Sequence, residues 1–180
     1  MEAVTLVTLR SFLERLGRRY PGQGRLYLLG GCALGLLGNP RITVDIDYTI
    51  ELEPGAVEPF QESLAELAVE MRLDVEEVPL AEFIPLPPRA RERHRLVGRY
   101  GNLDVYIYDL YSIALSKIAR GFEADLEDVL FLLTEHLIEF VELEHHFSAV
   151  LPDAAKADII PSEFRGYFEE IRRRFEQVSK

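Results

Sequence analysis

The stretch from Leu26 to Ile50 constrains the fold of this chain more than any other. A short apolar run, Leu26-Tyr27-Leu28-Leu29, ends at Gly30-Gly31, and a small-residue stretch from Cys32 to Leu37 follows, closed by Gly38-Asn39-Pro40. Val44-Asp45-Ile46-Asp47-Tyr48-Thr49-Ile50 then alternates strictly, with Val44, Ile46, Tyr48 and Ile50 on one face and Asp45, Asp47 and Thr49 on the other. The order predicts a strand, a glycine turn, a short helix and a second strand.

Apolar positions near helical spacing predict an N-terminal helix over 4–20, stopped by Pro21-Gly22, and another over 55–71. A further strand is expected over 73–78, before a proline-rich, irregular stretch from Pro79 to Pro88. Arg95 to Tyr100 and Leu103 to Tyr108 read as a hairpin, because Gly101-Asn102 suits a two-residue turn. Helices are expected over 110–120, 125–133, 136–150 and 163–178, with Phe131, Phe140, Phe147, Phe164, Tyr167, Phe168 and Phe175 at core-like spacings. The fold class is therefore α/β, or α+β: a mixed sheet flanked by helices in residues 1–109, then a helical extension, 110–180, packed on it.

Length and composition limit the function. A chain of 180 residues accommodates one domain, or a core with an appendage. The formal net charge of −11 argues against a protein that coats nucleic acid with its whole surface, so any polyanion must meet a local patch. A single cysteine, Cys32, excludes an internal disulfide framework and a four-thiolate zinc site in one chain. The longest apolar stretch, 26–37, is too short to cross a bilayer, and a cytoplasmic protein with no membrane partner is expected.

The carboxylates carry the chemistry. Asp45 and Asp47, two apart on a strand, point to the same face with Cα atoms roughly 6.5 to 7 Å apart, close enough to grip one metal together. In the strand from Leu103 to Tyr108 the apolar face is Leu103, Val105 and Ile107, which leaves Asp104 on the polar one. If the two strands are neighbours, three acids converge. Such acids repel unless a cation neutralises them, and hard oxygen ligands select Mg²⁺ or Mn²⁺. Gly30-Gly31 upstream supplies a strand-glycine-helix corner of the kind that directs backbone amides at phosphate.

Gly30-Gly31, thirteen intervening residues, Asp45-Ile46-Asp47 and the later Asp104 resemble the signature of the polymerase-β-type nucleotidyltransferase superfamily. The string Arg41-Ile42-Thr43-Val44-Asp45-Ile46-Asp47, with Lys117 and Asp125-x-x-Asp128, is similar to the subgroup of abortive-infection toxins of the AbiEii type and related uncharacterised nucleotidyltransferases. The resemblance spans residues 25–133. It implies transfer of a nucleoside monophosphate from a nucleoside triphosphate to a hydroxyl acceptor. On that reading Asp45, Asp47 and Asp104 are catalytic and bind the metal, while Gly30, Gly31, Cys32, Arg41, Thr43 and Lys117 bind the nucleotide. Cys32 departs from the pattern, since members often carry a hydroxyl residue beside the glycines.

Other features have structural readings beside functional ones. Asp125 and Asp128 suit a helix start. Lys117 suits a solvated helix lysine paired with one of those acids as well as a phosphate ligand, and Arg41 suits an anchor to Asp45 or Asp47. The arginine-rich segment 89–99 suits the phosphates of an RNA acceptor or of the nucleotide, or else a solvated loop entering an edge strand. Glu142-x-x-His145 with His146 falls short of the paired motifs that a di-metal bundle needs. The acceptor implied by the resemblance is RNA, tRNA included, in a toxin-antitoxin or phage-defence setting. The alternatives are the hydroxyl of a partner protein, and a non-catalytic binding module of the same fold.

Overall fold

The computed structural model describes residues 3–178. Its elements are α1 (Leu6–Arg19), β1 (Gly24–Leu28), α2 (Gly30–Leu36), β2 (Asp45–Glu51), α3 (Val57–Met71), β3 (Asp74–Glu77), α4 (Leu80–Phe83), β4 (Arg95–Tyr100), β5 (Leu103–Ile107), α5 (Leu110–Arg120), α6 (Glu123–Thr134), α7 (Phe140–Val150) and α8 (Pro161–Val178). The fold is α/β, with one five-stranded mixed sheet, helices around it and a helical C-terminal part. Two compact units divide the chain, Met1–Val78 with Arg95–Tyr108, and Pro79–His94 with Asp109–Lys180. The stretch 79–88, irregular by sequence, thus groups with the helices, together with residues 89–94.

The first unit is built on the sheet, in the order β3-β2-β1-β5-β4. β1 runs antiparallel to β2 and parallel to β5, β2 is parallel to β3, and β4 and β5 form the expected hairpin. Leu26, Leu28, Ile46, Tyr48, Leu103, Val105 and Ile107 are all buried and occupy one face of the sheet, as their alternation requires. Phe60 of α3 meets Tyr48 of that face at 6.2 Å between ring centroids and packs edge-on against Tyr20 at 5.2 Å. Leu9, Phe12, Leu13 and Leu16 of α1 are buried with them. Gly17 sits where α1 crosses the β4–β5 turn, and a Cβ there would collide with the Tyr100 backbone.

The second unit is held by an aromatic core and by buried charge. Phe147 stacks on Phe168 at 4.1 Å and lies 4.7 Å from Phe164, while Phe140 stacks on Phe175 at 5.5 Å. Asp109, fully buried, caps α5 by accepting from the Ser112 amide at 3.1 Å and the Ser112 hydroxyl at 2.7 Å. The Arg93 guanidinium clamps the same carboxylate through two bonds of 2.7 and 2.9 Å. α5 stops at Gly121, whose φ of +68° is the left-handed conformation that ends a helix.

Candidate active site on the sheet

β2 enters the sheet at Asp45, and both Asp45 and Asp47 are half-buried on the face opposite the apolar core. Thr43, buried just before the strand, donates its hydroxyl to Asp45 Oδ1 at 2.5 Å, which fixes that carboxylate. The Leu29 amide extends the β1–β2 ladder by donating to the Asp47 carbonyl at 2.9 Å, bringing the start of α2 against Asp47. Gly30 and Gly31 are the first two residues of α2, where a turn ahead of the helix was expected. The reason for glycine is local. Gly30 has φ +56°, and a Cβ on it would run into the Asp47 carboxylate; a Cβ on Gly31 would come within 2.8 Å of the Thr43 side chain. The Arg41 guanidinium reaches to 3.4 Å from that same Gly31 position. Asp45, Asp47, Thr43, Arg41, Gly30 and Gly31 are therefore brought together.

Two expected members of the site, Asp104 and Lys117, are not part of this group. Asp104 stands opposite Arg25 in the β1–β5 ladder, and Arg25 stands opposite Glu51, four residues along β2 from Asp47. Asp104 shares the sheet face with the pair. Yet two strand spacings and four residues of rise put its Cα roughly 16 Å from that of Asp47, too far for a shared ion. The convergence of three carboxylates is corrected accordingly. β5 is not next to β2, because β1 lies between them, and the register carries Asp104 to the other end of the face, where Arg99 approaches it at 3.7 Å.

Cys32, next to Gly31, serves the corner from inside. Its thiol is buried and donates to the Leu29 carbonyl at 3.1 Å and, more weakly, to that of Asp47 at 3.8 Å. Burial, and next the negative charge of Asp47, push its pKa up to about 12, so it stays a neutral internal donor that buttresses the corner.

Lys117 is 2% exposed inside the helical unit, where its ammonium donates to Asp125 Oδ1 at 2.9 Å and to Asp128 Oδ2 at 2.8 Å. Its charge is met by those two acids, so the expected ion pair forms with a second partner added, but it is buried where a solvated lysine was expected. Asp125 and Asp128 in turn do not cap. α6 begins at Glu123, and its N-cap Phe122 supplies no side-chain bond. In the arginine-rich segment, Arg89 pairs with Glu92 and Arg93 with Asp109.

Two acids escaped the sequence reading. In the parallel β2–β3 ladder Asp45 lies beside Asp74, and Asp47 beside Glu76. Residues paired this way share a face, so the two strands set four carboxylates in two rows. The available signal was Asp74-x-Glu76, the same spacing as Asp45-x-Asp47, on the strand expected next. Like charges directly opposite destabilise a ladder, and a bound cation relieves them.

By the chemistry of its donors, the Asp45–Asp47 pair alone suits a hard divalent ion. Among the described residues no group of three or more His, Cys, Asp or Glu is placed to hold a metal ion. Mg²⁺ does not need one, because it is ordinarily held by one or two carboxylates together with water and substrate phosphates. Asp45 and Asp47 would be such a pair. Among the described residues no helix is long and apolar enough to cross a membrane.

No curated protein and no solved structure matches the chain. One family model does, over residues 5–178, and its description is a nucleotidyltransferase of unknown function, DUF6036. The match covers nearly all of the sequence, including the glycine corner and the Asp45–Asp47 strand. With that coverage, the chain belongs to this family of nucleotidyltransferases of unknown function.

Proposed function

We propose that the protein transfers a nucleoside monophosphate from a nucleoside triphosphate to a hydroxyl acceptor, using a divalent ion held by Asp45 and Asp47. The observation that carries this is the closeness of Gly30 to Asp47, which sets the glycine corner directly against the carboxylate pair. A bound Mg²⁺ or Mn²⁺ supplies electrostatic stabilisation as charge builds on the leaving pyrophosphate. Thr43 orients Asp45, while Arg41 and the Gly30–Gly31 backbone meet the triphosphate. The acceptor oxygen forms a bond to the α-phosphorus, the bond from that phosphorus to the bridging oxygen breaks, pyrophosphate leaves and the acceptor proton passes to solvent. Asp104 and Lys117 have no part in this reading.

Two acceptors remain in competition, RNA in the toxin-antitoxin setting suggested by the AbiEii-type resemblance, and a partner protein. The pairing of Arg89 and Arg93 with acids, and the net charge of −11, favour a protein hydroxyl. The test is incubation with each α-labelled nucleoside triphosphate and Mg²⁺, with total RNA and total protein resolved on separate gels. Label is expected in the protein fraction and absent for Asp45→Asn. Label in RNA alone would reverse the choice of acceptor, and no transfer from any nucleotide to either fraction would end the proposal.

A further inference from the structure

The row that separates Asp45 and Asp47 from Asp104 has two aromatic rings at its centre. Across the sheet, Thr49 of β2 stands opposite Tyr27 of β1, Tyr27 opposite Tyr106 of β5, and Tyr106 opposite Leu96 of β4. All four share the sheet face of Asp47. Tyr27 and Tyr106 stack with ring centroids 5.5 Å apart and planes 28° apart, and Tyr108 closes edge-on against Tyr27 at 5.9 Å. Tyr27 is buried by these neighbours, and its hydroxyl is tied to Glu51 at 2.7 Å. Tyr106 is half-buried, and Leu96 beyond it is 64% exposed, a large apolar side chain on the polar side of the sheet.

This strip has the form of a stacking surface. Tyr27, held by the Tyr106 and Tyr108 rings and by Glu51, supports Tyr106 from the β1 side, while Leu96 borders Tyr106 on the β4 side. By strand geometry the Cα of Tyr106 lies roughly 12 Å from that of Asp47, one row along and two strands across. A flat aromatic ligand tethered to phosphates at Asp45 and Asp47 meets the strip as the next feature along the face. A charged row, Glu51, Arg25, Asp104 and Arg99, bounds it on the far side.

We infer that Tyr106, backed by Tyr27 and bordered by Leu96, is the platform on which the base of the nucleotide substrate stacks. The inference rests on the nucleotidyltransferase reading and adds to it the part of the substrate that the carboxylates do not address. Stacking tolerates every base, because each has a π-face, so the platform supplies affinity with little base preference.

The chain has no tryptophan, so Tyr106→Trp installs a single reporter. In the full-length protein with Mg²⁺, quenching of that tryptophan is expected on titration with any of the four nucleoside triphosphates and not with inorganic tripolyphosphate, which lacks a base. Tyr106→Leu, which keeps apolar bulk, is expected to raise the nucleoside triphosphate Kd about 5- to 150-fold, the equivalent of roughly 1 to 3 kcal/mol of stacking, and to leave tripolyphosphate binding unchanged. Tyr106→Phe should bind like the parent. Nucleotide binding that is the same in Tyr106→Leu as in the parent, or a loss shared equally by tripolyphosphate, would overturn the platform while sparing the carboxylate site. Failure of the parent to bind either ligand would overturn both.

Discussion

Lys117 Nζ donates to Asp128 Oδ2 at 2.8 Å, with both side chains almost wholly shielded from water. Asp125 shares the same ammonium and also accepts from Arg120 at 2.6 Å. Removing one partner of such a group leaves an uncompensated buried charge. Lys117→Met is therefore expected to destabilise the protein by about 3 to 5 kcal/mol. Urea denaturation followed by far-ultraviolet circular dichroism checks this; a loss below 1 kcal/mol would assign the lysine a role other than holding α5 to α6.

Gly30→Ala tests the glycine corner. The positive φ and the Asp47 carboxylate both oppose a methyl group there, so Asp47 must move or the helix must back away. Transferase activity is expected to fall to background at a stability cost of about 1 to 3 kcal/mol. Activity within tenfold of the parent would show that the closeness of Gly30 to Asp47 is dispensable.

A divalent ion that binds only the folded state raises the melting temperature by mass action. Addition of Mn²⁺ or Mg²⁺ is expected to raise it in the parent and in Asp104→Asn, and to leave Asp45→Asn and Asp47→Asn unmoved. Because the Asp104 pair with Arg99 is largely exposed, Asp104→Asn should itself cost less than about 1 kcal/mol. Loss of the metal response in Asp104→Asn would contradict the ladder register described above.

Thr43→Val removes the hydroxyl that fixes Asp45 and keeps the shape of the side chain. A 10- to 100-fold fall in metal affinity or activity is expected, the usual effect of losing an outer hydrogen bond to a metal ligand. Isothermal titration with Mn²⁺ reads the affinity directly, and an unchanged value would remove Thr43 from the site.

Alkaline pH should weaken the fold. Burial first, and then nearby negative charge, push Cys32 from 9.0 and Tyr48 from 10.0 up to about 12. Tyr27 rises to about the same value through burial and its bond to Glu51. In each case the folded-state pKa lies above the unfolded one. The stabilising contribution is thus complete below about pH 9 and is lost as the pH climbs toward 12. Urea midpoints should hold steady to pH 9 and fall beyond it, less steeply in Cys32→Ala and Tyr48→Phe. A midpoint flat to pH 11.5 would refute the buried placement of these groups.

What the sequence by itself determined was periodic and local. Alternation placed Asp45, Asp47 and Asp104 on polar strand faces, Gly101-Asn102 marked the hairpin, and helical spacing located α5 to within a residue, because each is set by backbone geometry over a few neighbouring positions. Alternation names a face without naming a row. How far β5 slides along β1 depends on contacts between segments some 80 residues apart, and only the tertiary structure revealed that this slide parts Asp104 from Asp47 and sets Tyr106 in the row between. The same holds for Lys117. Its helix was legible, whereas its burial between Asp125 and Asp128 follows from how α5 packs on α6, where low dielectric turns a pairing of modest worth at a surface into one that the helices cannot lose.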